Sequence, residues 1–226
     1  MKSENNTEIQ ENTLQRSIKS EGIIFDLDGT LWSTSDQIVP AWNDVLQRKG
    51  LPLITVSQMN SFMGKTPDMI ASMMLPDMPH AEAMYVFAEC VVEENNYLKT
   101  HGGTLYEGLE TTLAHLKKNY FLAVVSNCLQ DYLNTFLDFH GLRGYFDDCE
   151  TFGGTRLQKS ENIRLVVKRN HLNAAVYVGD TELDRQSAEK AGVPFIWAKY
   201  GFGTDVVAQQ TINSINELPQ VVEKII

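Results

Sequence analysis

Residues 23–31 read Ile-Ile-Phe-Asp-Leu-Asp-Gly-Thr-Leu, and the first chemistry in this chain lies in the two carboxylates, Asp26 and Asp28. Carboxylates this close repel, so they need a cation, or one of them must hold its proton more tightly. Both conditions suit phosphoryl chemistry. The apolar run from Ile23 predicts a buried strand that breaks at Gly29. Strand alternation predicts both carboxylates on one side, at the carboxyl end, where open α/β sheets bind ligands. The four fixed residues of Asp-x-Asp-Gly-Thr occur by chance about once in 10⁵ windows. A solvated Asp-Gly turn explains Gly29 and Asp28, but not Asp26 directly behind three apolar residues.

Two further strands end in polar residues, Ser126-Asn127 and Gly179-Asp180 with Asp184, and Lys159 lies in the loop between the third and fourth strands. Each has a plain structural reading when taken singly. Ser126-Asn127 suits a loop start or helix cap, Thr181 suits the cap of the next helix, and Lys159 suits a solvated loop cation just before a helix. Asp180 and Asp184, four residues apart, would be neighbours on a helix face. Like charges there mildly destabilise, and a nearby cation would explain the pairing.

These residues need elements to hold them. Residues 121–126, 146–152, 174–178 and 195–198 read as strands, alternating with helical patterns at 111–118, 129–141, 161–170, 183–191 and 217–225. Such alternation predicts a parallel sheet with right-handed crossovers, a Rossmann-like α/β core with helices on both faces. From 36 to about 100 the signal is helical throughout. Four helices are predicted there, marked by Ile38/Trp42/Val45/Leu46, by Val56/Met59/Met63, by Met69/Ile70/Met73/Met74, and by Met84/Phe87/Ala88/Val91/Val92. An all-helical cap domain over 34–103 is therefore expected, inserted into a discontinuous core of 21–33 and 104–226.

The whole chain sets outer limits. At 226 residues with 43% hydrophobic content it can bury one large core with a smaller inserted domain. A net charge of −10 argues against nucleic acid or an anionic membrane surface as partner. It leaves room for a small phosphorylated metabolite in a cleft made positive by a metal and a few local cations. Cys90, Cys128 and Cys149 form no C-x-x-C pair, so free thiols and a cytoplasmic setting are expected. The first twenty residues read as a polar tail, with a short amphipathic turn around Ile9, Leu14 and Ile18. They hold no apolar signal region, and no run approaches a membrane span. Oligomeric state is not legible.

In their order and spacing, Asp26-Leu27-Asp28-Gly29-Thr30, Ser126-Asn127, Lys159 and Gly179-Asp180-x-x-x-Asp184 resemble the motifs of the haloacid dehalogenase-like hydrolase superfamily. The helical insertion resembles the cap of its phosphoglycolate phosphatase-like branch. The resemblance implies an Mg²⁺-dependent phosphatase in which Asp26 is the nucleophile, forming an aspartyl-phosphate, and Asp28 the general acid and then base. It also implies that Asp26, the Asp28 backbone carbonyl and Asp180 hold the metal, with Asp184 oriented toward it or toward its water. Ser126 and the Asn127 backbone N–H would hold phosphoryl oxygens, and Lys159 would offset the crowded negative charge. Two positions depart from the family pattern: Ser160 follows Lys159 where Pro is common, and Glu107-Gly108 replaces Pro-Gly. The second Asp argues against a dehalogenase.

Specificity is expected in the cap, which closes over the site. The segment 62–68 is the candidate loop, with Lys65 and Thr66 as substrate-binding residues, although it reads equally as an ordinary connector between helices. The Met-rich run 69–78 reads as cap packing, and His101-Gly102-Gly103 as a hinge. The rival functions are a phosphotransferase of the sugar phosphomutase type and a catalytically silent binding or regulatory protein.

Overall fold

The computed structural model describes residues 19–226, so Ile9, Leu14 and Ile18 of the expected tail lie outside the described residues. The core is built on β1 (Glu21–Phe25), β4 (Phe121–Ser126), β5 (Asp148–Thr151), β6 (Ala174–Gly179), β7 (Phe195–Ala198) and β8 (Gln210–Ile212). These form one parallel sheet in the order β5-β4-β1-β6-β7-β8.

Both faces of the sheet are buried, which is why its central strands read as unbroken apolar runs. Ile23, Phe25, Val124, Val176 and Val178 pack on one side. Ile24, Ala123, Val125, Ala175 and Tyr177 face the other. The second face is covered by Ile163 and Val166 of α8 (Lys159–Arg169) and Ala188 of α9 (Glu182–Ala191). The first is covered by α5 (Leu109–Leu116), α6 (Gln130–Phe139) and the terminal α10 (Leu218–Val222). A single turn, α7 (Phe152–Thr155), follows β5.

Between the short strands β2 (Trp32–Ser33) and β3 (Thr104–Leu105) stand α1 (Ser35–Arg48), α2 (Val56–Phe62), α3 (Pro67–Met74) and α4 (His80–His101), with no strand among them. β2 and β3 pair antiparallel, Trp32 with Leu105, where the chain leaves and re-enters the core. Trp42 of α1 meets Phe87 of α4 edge to face at 5.7 Å. No helix among the described residues is long and apolar enough to cross a membrane.

Several expectations change in detail. β2, β3 and β8 are absent from the sequence reading because two or three residues carry no period. Residues 217–225 yield only the short α10 after a 3₁₀ turn. On α4 the buried stripe is Ala83, Phe87, Cys90, Glu94 and Leu98, while Ala88 and Val92 face solvent. Met74 packs inward but Met69 and Met73 are exposed, so the Met-rich run is only partly cap packing.

Candidate active site

Sheet register brings the chemistry together. Phe25 lies level with Val124 and Val178, so Asp26, Ser126 and Asp180 all emerge one or two residues further on, at the same edge. The Asp26 amide continues the ladder by donating to the Val178 carbonyl at 2.8 Å. Beyond it the chain turns sharply, with the Leu31 amide on the Leu27 carbonyl and Gly29 at φ +79°. A Cβ on Gly29 would collide with the Asp180 carboxylate, so glycine serves both the left-handed turn and the close approach. This turn overrides the expected strand alternation. Asp26 and Asp28 do not share one environment; they take separate partner sets.

Asp26, Asp180 and Asp184 are wholly buried and place one oxygen each within 4.8 Å of the others. Lys159 Nζ donates to Asp26 Oδ1 at 2.8 Å and to Asp184 Oδ1 at 2.6 Å. Lys159 is not a solvated loop cation. It is the buried first residue of α8, and charge pairing at both carboxylates offsets its burial. Asp180 is not on a helix face with Asp184: it follows β6, whereas Asp184 closes a capping box with Thr181 at the start of α9. Asp184 Oδ2 accepts from both the backbone N–H and the hydroxyl of Thr181, at 3.0 and 2.6 Å. Asp180 Oδ2 accepts from the Phe202 amide at 2.7 Å.

Two oxygens of this cluster, Asp26 Oδ2 and Asp180 Oδ1, are buried with no hydrogen-bond partner among the described residues. Burial, then the Asp184 charge, raises the pKa of both Asp26 and Asp180. Lys159 moves up as well, because the carboxylates of Asp184 and Asp26 outweigh its desolvation. An all-oxygen donor set with orphaned carboxylate atoms fits a hard divalent cation.

Asp28 is organised differently. Its Oδ1 accepts from Tyr132 Oη at 2.7 Å and Trp32 Nε1 at 3.0 Å, which leaves Oδ2 without a partner among the described residues. Since the Tyr132 proton goes to Asp28, Tyr132 accepts from Thr34 Oγ1, at 2.8 Å. Burial raises the Asp28 pKa to about 6, opposed by the hydrogen bonds from Tyr132 and Trp32. The sequence suggested a neighbouring carboxylate as the source of a raised pKa; desolvation is the larger cause.

Asp28 also lines a cavity of about 70 Å³ between the core edge and the four inserted helices, together with Ser126, Asn127, Lys65 and Glu94. Asn127 Nδ2 donates to the Gly64 carbonyl at 2.8 Å, tying segment 62–68 to the core. Lys65 Nζ donates to the Ser61 carbonyl at 2.7 Å. Thr66 stands at the N-cap of α3 and not on the cavity wall, so the structure separates it from Lys65. Ser126 Oγ accepts from the Cys128 amide at 3.3 Å. It caps no helix; the N-cap of α6 is Leu129.

The sequence reading missed Trp32, Thr34 and Tyr132 around Asp28, the Phe202 amide at Asp180, and Glu94. A signal for Phe202 existed, since Gly201-Phe202-Gly203 follows β7 at the same sheet edge. Glu94 was visible as an acid on an apolar helical stripe. Its Oε2 accepts from Trp42 Nε1 at 2.6 Å, and burial raises its pKa to about 8.

That shift has a stability consequence. An acid with a raised folded pKa favours the native state fully below its unfolded value, and the contribution is lost as pH rises through the folded one. Glu94 therefore makes the metal-free protein less stable between about pH 4.5 and 8. Glu94→Gln should flatten the fall in Tm over this window, read by thermal melts in chelator. An unchanged slope refutes the assignment.

The family model described as haloacid dehalogenase-like hydrolase matches residues 23–198. A relative from Rhodobacter capsulatus named phosphoglycolate phosphatase is 31% identical over 194 residues, covering 80% of this chain and 84% of that protein. One of the same name from Aquifex aeolicus is 30% identical, covering 80% and 85%. Among solved structures, a predicted phosphatase from Clostridium acetobutylicum superposes with a TM-score of 0.75 at 25% identity, covering 91% of this chain and 99% of that one. A predicted phosphoglycolate phosphatase from Haemophilus somnus reaches 0.80 at 19% identity over 92% and 99%, a likeness of fold. The family model spans most of the chain, including the strand ends that meet at this sheet edge, and this protein belongs to the haloacid dehalogenase-like hydrolase family.

Proposed function

We propose that the protein is an Mg²⁺-dependent phosphatase that hydrolyses the monoester of a small phosphorylated metabolite through an aspartyl-phosphate. The observation that carries this reading is the division of labour between the two carboxylates. Asp26 sits with Lys159, Asp180 and Asp184, whereas Asp28 faces the cavity with one oxygen free. The names of the relatives make phosphoglycolate one ester to test. Segment 34–103 is read as the cap and 21–33 with 104–226 as the core. The three free cysteines fit a reducing, cytoplasmic setting.

In the first half-reaction a carboxylate oxygen of Asp26 bonds to phosphorus as the ester P–O bond breaks, and the leaving oxygen takes a proton from Asp28 Oδ2. Tyr132 and Trp32 hold Asp28 Oδ1, so Oδ2 is the atom free to carry that proton. A pKa of about 6 lets the same group donate and then accept near neutral pH. In the second half-reaction Asp28 Oδ2 takes a proton from water as its oxygen attacks phosphorus, and the P–O bond to Asp26 breaks. Ser126 and the Asn127 amide hold phosphoryl oxygens. Lys159, anchored by Asp184, offsets charge at Asp26. Asp26, Asp180 and the Asp28 backbone carbonyl would hold Mg²⁺, which would supply charge neutralisation at the phosphoryl group. Asp184 orients this set through Lys159 and Thr181, since both its oxygens are already engaged.

The test is phosphate release from a panel of monoesters with Mg²⁺ and with chelator. Isomerised sugar phosphate without free phosphate would instead establish the mutase. For Lys65, read as a cation at the cavity, Lys65→Ala should raise KM several-fold with kcat unchanged, the pattern of lost uniform binding. A fall in kcat alone removes that role.

A further inference from the structure

The cavity wall holds one polar group that phosphate-ester chemistry does not use. Glu94 is buried on the apolar face of α4, with Oε2 on Trp42 and no hydrogen bond at Oε1 among the described residues. Around it the wall is apolar or aromatic: Trp42, Phe62, Ile70, Phe87 and Val91. Lys65 is the cation on the cavity wall, and its ammonium rests on the Ser61 carbonyl.

Resting on the phosphatase reading, we infer that the leaving group carries a primary ammonium, which pairs with Glu94 Oε1 on the cap side of the cavity. The substrate is then the phosphate ester of a short amino alcohol. A leaving group with its own carboxylate could meet Glu94 only in its protonated form, and the Lys65 ammonium on this wall is engaged by the Ser61 carbonyl. A purely apolar one would leave Oε1 unpaired. An ammonium supplies N–H donors to Oε1 and gains from the rings of Trp42 and Phe87. Glu94 gives up its proton to solvent on pairing, consistent with a carboxyl that burial keeps neutral when alone. A cavity of about 70 Å³ favours a short chain.

The test compares kcat/KM of the Mg²⁺-loaded wild-type protein for O-phosphoethanolamine, for propyl phosphate, in which a methyl group replaces the ammonium, and for phosphoglycolate. The amine ester should win over both by at least about tenfold, and Glu94→Gln should erase most of that preference. Equal turnover of propyl phosphate, or phosphoglycolate as the best of the three, overturns the inference while leaving the phosphatase reading intact. A preference that survives in Glu94→Gln overturns it too. No turnover of these esters or of p-nitrophenyl phosphate overturns the phosphatase reading, and the inference with it.

Discussion

Asp26→Asn is expected to reduce phosphate release by at least about four orders of magnitude, the largest effect of any single substitution in this protein. The amide keeps the shape of the side chain but lacks the lone-pair charge that attacks phosphorus, and it cannot hold a cation as a carboxylate does. Nothing nearby replaces it. Asp184 has one oxygen on Lys159 and the other on Thr181, Asp180 has one on the Phe202 amide, and Asp28 is held toward the cavity by Tyr132 and Trp32. The variant should remain folded, because a neutral amide relieves both desolvation and repulsion from Asp184. Phosphate release at steady state, beside a thermal melt, is the measurement. Turnover above about 1% of wild type by a folded Asp26→Asn would falsify the nucleophile assignment.

Metal removal should be almost as severe, and its signature is visible without substrate. Asp26 and Asp180 have raised pKa values when metal-free, so protons and Mg²⁺ compete for the same oxygens. In the metal-free protein, stability from these protonated carboxyls is present below their unfolded pKa and lost as pH rises toward the folded one. Chelated protein should therefore melt lower at pH 8 than at pH 5.5. Mg²⁺ at about 100-fold over its Kd should restore about 5–11 °C at pH 8 and less at pH 5.5. Asp180→Asn should lose most of this shift, because one of the two unpartnered oxygens belongs to it. A shift equal at both pH values, or retained in Asp180→Asn, removes the acidic cluster as the metal site.

The parts of the site written into the sequence are those that local chemistry and strand order require. A buried run ending in Asp-Leu-Asp-Gly needs its sheet edge, and β4 and β6 end in polar residues for the same reason. The all-helical stretch was legible from period alone, because four apolar stripes repeat without a strand pattern. What failed was finer. The sequence placed Lys159 in a loop before a helix, with a role in the cleft, but it did not show that Lys159 is the first residue of α8, buried between two carboxylates from distant segments. Asp180 and Asp184 looked like helix neighbours because a spacing of four does not reveal where α9 begins.

Sequence alone determined which residue types meet. Periodicity and turn residues act over a few positions, and a parallel sheet carries strand ends to a common edge whatever the loops contain. Only the tertiary structure decided what each carboxylate does. The turn at Gly29 sends Asp26 toward Lys159 and Asp28 toward Tyr132, 104 positions further along the chain. Likewise the packing of α4 against α1 puts Glu94 beside Trp42, 52 positions away, and turns a surface residue type into a buried acid on the cavity wall. Desolvation and hydrogen-bond partners set a carboxyl's proton affinity, and both depend on which distant segments fold against it.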